Sequence, residues 1–112
     1  MEKRESKRIG FNLRVALTLG GGNQSIEILR ANINWGGLGG FTRDPVQEGE
    51  AALLRIDFPQ RSGEIMSEEI PGKIVWGRRD GNFTALGVAF SKIDPASQPQ
   101  LVSYLRFADQ FD

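Results

Sequence analysis

The chain has 112 residues, 39% of them hydrophobic, which is enough for one modest core and too little for two domains. Its 14 Lys and Arg balance 14 Asp and Glu for a formal net charge of zero, against a general grip on duplex nucleic acid, where affinity comes mainly from phosphate neutralisation. Cysteine and histidine are both absent, which excludes disulfides, thiolate metal sites and thiol nucleophiles, and removes the commonest general base near neutral pH.

The first ten residues are basic and contain little to anchor a core. Lys3, Arg4, Lys7 and Arg8 face only Glu2 and Glu5. Residues 1–10 are expected to form a flexible basic arm, and residues 11–112 a single domain. The arm leads into no signal-peptide core, and no apolar run approaches the roughly 20 residues that span a bilayer. A cytoplasmic protein is the expectation.

Phe11, Leu13, Val15, Leu17 and Leu19 alternate with Asn12, Arg14, Ala16 and Thr18, the period of a half-buried strand. Gly20-Gly21-Gly22-Asn23 reads as a turn. Ile26, Ile28 and Arg30 to Ile33 suggest a second strand that closes a hairpin. Asn34 to Gly40, with four glycines, reads as a loop, and Phe41 and Thr42 as the start of a short third strand. Asp44-Pro45 marks a bend. Ala51 to Phe58 reads as a strand ended by Pro59. Glu64 to Ile70 and Lys73 to Arg79 read as a long strand broken or bulged at Pro71-Gly72. Asp80-Gly81 signals a hairpin, and Phe83 to Phe90 a largely buried last strand. Asp94-Pro95 resembles a helix start, although Pro99 moves the regular part to about Gln98. Leu101, Val102, Leu105 and Ala108 then share one helical side. Strands at hairpin spacing plus one terminal helix predict a small antiparallel barrel with a helix packed on it.

Two segments carry candidate chemistry. Arg4 and Arg8, four apart, present planar guanidinium forks that suit phosphate oxygens and the O6 and N7 edge of guanine; a solvated basic tail is the plainer reading. Asn32 and Asn34, two apart on extended backbone, point to one face, and each amide offers both a donor and an acceptor for a base edge. An Asx-type turn is the plainer reading there. Trp76 fits either stacking on a base or a core or barrel-end role; Trp35 fits a plug over a barrel end or ligand stacking.

Asn32 follows Arg8 by 24 positions. This order and spacing resemble the PilZ domain signature, an Arg-x-x-x-Arg arm followed by Asp/Asn-x-Ser-x-x-Gly. Arg4 and Arg8 match the first element, and Asn32 and Gly37 the ends of the second; Asn34 stands where the family has serine. Gly36-Gly37-Leu38, Glu48-Gly49-Glu50 before Leu53, and Gly72 to Trp76 with Leu86 to Phe90 extend the similarity from about Arg4 to Leu105.

The resemblance implies an all-β fold, a six-stranded antiparallel split β-barrel with a C-terminal helix. It implies a bacterial receptor or adaptor, without enzymatic activity or cofactor, that binds cyclic di-GMP, changes the conformation of its arm and signals to an unidentified protein partner. Arg4 and Arg8 would hold phosphates and guanine edges, with Lys3 adding a phosphate contact. Asn32 would read a guanine edge, Asn34 would take the serine's place, Gly37 would shape the loop and Trp76 could stack. The alternative is a PilZ-like adaptor that has lost the nucleotide and works only by protein contact. Single-stranded RNA bound through the arm and the tryptophans is a third reading.

Overall fold

The computed structural model describes residues 13–110; the arm, with Lys3, Arg4 and Arg8, lies outside them. Six strands follow in order: β1 (Arg14–Leu19), β2 (Ser25–Ile33), β3 (Gly37–Thr42), β4 (Ala51–Pro59), β5 (Ile65–Asp80) and β6 (Phe83–Phe90). One helix, α1 (Pro99–Asp109), closes the chain. The strands form a closed antiparallel barrel in the order β1-β2-β3-β6-β5-β4, and β4 returns to β1. This is the six-stranded barrel with a terminal helix that the sequence implied. No helix among the described residues is long and apolar enough to cross a membrane.

Closure buries one parity of each strand. Val15 and Leu17 of β1, Leu54 and Ile56 of β4, and Leu86 and Val88 of β6 all point into the core, as period-two alternation requires.

Two strands change parity part-way, each at a bulge. In β2, Leu29 pairs with Phe41, but Asn32 pairs with Gly39, so one extra residue lies between them. Ile26 and Ile28 point inward before it; Ala31 and Ile33 pack on the core after it. Arg30 sits in the bulge at φ 55°, the only positive φ outside glycine among the described residues. Such a conformation costs on the order of 1–3 kcal/mol for a residue with a side chain. In β5, Ile74 pairs with Val88 and Trp76 with Gly87, which leaves Val75 as the extra residue.

Two expectations need correction. Asn34 to Gly40 is not one loop: Gly37 begins β3, a central strand between β2 and β6. A Cβ at Gly37 would fall on the Val88 carbonyl oxygen, so the glycines here admit close strand approach. Pro71-Gly72 neither breaks nor bulges β5, and the bulge lies at Val75. The Pro71 carbonyl accepts from Ser91, so its nitrogen points to the side where β6 has already ended at Phe90, and its missing N–H interrupts no ladder. The helix starts at Pro99 with Gln98 as its cap position, where the sequence placed its regular part. Asp94 instead holds a turn, accepting from Ala96 N–H at 3.1 Å and from the Ser97 hydroxyl at 3.0 Å.

The helix is capped from another element. Gln98 makes no side-chain capping bond. The Glu68 carboxylate of β5 accepts from the N–H groups of Gln100 at 2.7 Å and Leu101 at 2.9 Å, and its charge also suits the positive end of the helix dipole. The buried Gln98 side chain donates to Glu69 O at 2.9 Å and accepts from Asp94 N–H at 2.6 Å. Leu101, Val102 and Leu105 face inward, and Tyr104 lies against Phe58 with ring centroids 6.2 Å apart. Burial pushes the Tyr104 phenol above its ordinary value.

Replacing Glu68 by alanine should lower the unfolding free energy by about 1–2 kcal/mol, with Glu68→Gln recovering part of it. Urea unfolding checks this. Equal midpoints for wild type and Glu68→Ala would show that the cap does not hold the helix.

Candidate functional site

The β2 bulge decides where the two asparagines point. On the parity of Ile26 and Ile28, Asn32 would enter the core. After the bulge it is exposed on the outer face. Its amide has no hydrogen-bond partner among the described residues, so its donor and acceptor are both available to a ligand.

Register carries this position across the barrel. Asn32 pairs with Gly39 of β3, Gly39 with Gly87 of β6, and Gly87 with Trp76 of β5. The row thus has an amide at one end, an indole at the other and two glycines between. Strands lie about 4.8 Å apart, so its ends are about 14 Å apart. The adjacent row on the outer face ends in the small pair Gly37 and Ala89. The result is an open trough of about 330 Å³, floored by backbone and walled by Asn32, Asn34, Val75 and Trp76.

Trp76 is 45% exposed, so of the readings the sequence left open the core role does not fit. Its indole lies over Gly87, where any Cβ would overlap the ring nitrogen. The β5 bulge makes this possible, because the extra residue returns Trp76 to the outer face. Gly39 is different: a Cβ there would have only Leu86 O near it, at 3.6 Å.

Asn34 has two ends with different duties. Its Oδ1 accepts from Gly36 N–H at 2.8 Å and Gly37 N–H at 3.0 Å, and its own N–H donates to Gly37 O at 2.9 Å. This is the Asx-type turn weighed from the sequence. It spends the acceptor on the loop and leaves the exposed NH₂ facing the trough. A serine hydroxyl could accept from the same backbone donors.

Trp35 is braced against the helix. It is 43% exposed, and its Nε1 donates to Asp109 Oδ2 at 3.0 Å, tying the loop to the last turn of α1.

The sequence did not single out Gly39, Gly87, Lys73 or Arg78. Lys73 pairs with Ala89 and Arg78 with Ala85. Both are exposed and flank Trp76 along β5, outside the residues that line the trough. Among the described residues no three acidic side chains cluster as a metal site would need.

The trough can hold a planar base against bare backbone, read its edge with amides and stack it on an indole. Adding a methyl at Gly87 should displace the indole: Gly87→Ala in a Trp35→Phe background should shift the emission maximum of Trp76, whereas Gly39→Ala should leave it in place. Identical spectra for the two variants would show that Trp76 does not cover Gly87.

A family model, the PilZ domain, matches residues 2–107. No curated protein and no solved structure matches the chain.

Proposed function

Because the chain belongs to the PilZ domain family, the family of cyclic di-GMP receptor domains, we propose that its trough binds cyclic di-GMP and that the arm closes over the bound ligand. The row Asn32–Gly39–Gly87–Trp76 carries this reading. A guanine laid on Gly39 meets an amide at one side and, at the other, the indole that covers Gly87, and guanine's edge offers both acceptors and donors.

The arm has the reach to take part. It joins the barrel at Leu13, which lines one depression with Arg14 and Arg30 at the β2 side. Five extended residues from Leu13 back to Arg8 span about 17 Å, enough to cross the three strand spacings, roughly 14 Å, from β1 to β6. Arg8 and Arg4 then lie within range of a dinucleotide that carries two negative phosphates and two guanines, with Lys3 as a further cation. Ordering the arm costs roughly 1–2 kcal/mol per residue. Several charge-assisted hydrogen bonds of about 1.5–3 kcal/mol each are needed to offset that, so both arginines are required.

Asn34 supports nucleotide binding over the adaptor-only alternative. Its Oδ1 is held by the Gly36 and Gly37 N–H groups, as a serine oxygen could be, and its NH₂ adds a donor at the trough wall. Arm closure would couple ligand to a protein partner in the cytoplasm, with no reaction catalysed.

Calorimetric titration of the full chain with cyclic di-GMP tests the reading, with cyclic di-AMP beside it. Saturable binding that prefers the guanine ligand is expected. Arg8→Ala should weaken binding at least tenfold, and Gly39→Leu should abolish it while the melting temperature stays within a few degrees. A flat titration near millimolar ligand, or full affinity in Gly39→Leu, would refute the trough as the site.

A further inference from the structure

The bulge in β2 needs a residue at positive φ, and the chain places an arginine there. Elsewhere among the described residues it uses glycine: Gly20, Gly49, Gly63 and Gly81 hold all the other positive φ values. Glycine would fill the bulge without strain. The Arg30 side chain gives the fold nothing in return. It is exposed, it is no part of the core cluster, and it has no hydrogen bond or ion pair among the described residues. A strained residue whose side chain is idle within the fold points to a role outside it.

Its surroundings suit an anion. Arg30 lines a depression of about 280 Å³ with Leu13, Arg14 and Glu27. Two guanidinium groups against one carboxylate leave a net positive charge there. Arg30 also stands two positions before Asn32, on the same strand, at the point where the arm meets the barrel.

We propose that Arg30 contacts a ligand phosphate and, with Arg14, extends the trough into an anion site at the root of the arm. This rests on the cyclic di-GMP reading above. A ligand held between arm and trough presents its phosphates toward the β2 bank, and Arg30 meets one there with a two-pronged donor fork. The strained backbone is then retained because no glycine can supply that fork.

Arg30→Gly and Arg30→Lys in the full chain test this by calorimetry at several salt concentrations, with melting temperature as a control. Arg30→Gly should melt at the wild-type temperature or higher and bind cyclic di-GMP about tenfold or more weakly. The slope of log affinity against log salt should fall by roughly one. Arg30→Lys should lie between, since it keeps the charge and loses the fork. Should Arg30→Gly melt lower, Arg30→Asn carries the same comparison, because asparagine also tolerates left-handed backbone. Unchanged affinity in these variants overturns the Arg30 inference and leaves the trough standing. Side-chain Nε resonances separate the remaining outcomes. A shift at Arg30 with inorganic pyrophosphate but no cyclic di-GMP binding overturns the guanine reading and keeps the anion site. No response to either ligand overturns both.

Discussion

The outer face of this barrel depends on one inserted residue in β2. Without the bulge at Arg30, strict alternation would send Asn32 inward among Ile26, Ile28 and Leu86. An uncompensated amide there would cost several kcal/mol. With it, Ala31 and Ile33 take over the core side and Asn32 faces out. The strain at Arg30 is the local expense, and closure of the barrel on both sides of β2 holds it in place. Bulges near binding sites commonly re-aim a side chain in this way.

A second bulge acts from the far bank. At Val75 it lets both Ile74 stay in the core and Trp76 lie outside over Gly87. Between the two bulges, β3 and β6 place glycine opposite glycine at Gly39 and Gly87. A side chain at Gly39 would fill the trough, and its absence leaves bare backbone there, while the indole covers Gly87. The glycines are therefore tied to two different demands. Gly37 admits the close approach of β6 and Gly87 the indole of Trp76, while Gly39 is packed by neither.

The helix end of the barrel adjoins the same site. Glu68 of β5 caps α1 at its first turn, and Asp109 in its last residue accepts from Trp35 in the loop that also holds Asn34. The loop is thus braced twice, by the Asn34 carboxamide against its own N–H groups and by Trp35 against the helix. Such bracing fixes the orientation of the Asn34 side chain at the trough wall.

The succession of strands and the terminal helix were legible in the sequence because each rests on local pattern: alternation at Val15 and Leu17, the Asp80-Gly81 turn, and helical spacing at Leu101, Val102 and Leu105. Where Pro71 and Gly37 looked like breaks, the local reading failed, because their tolerance depends on where β6 ends and how closely it approaches. The faces of Asn32 and Trp76 were likewise not legible. A bulge changes parity by one residue and leaves no composition signal, so only the pairing of β2 with β3 and of β5 with β6 decided them. The sequence by itself determined the strands, the helix and the family signature that the chain carries. Tertiary structure alone decided that Asn32 and Trp76 face each other across two glycines, because a row across four strands is fixed by register between segments distant in the chain.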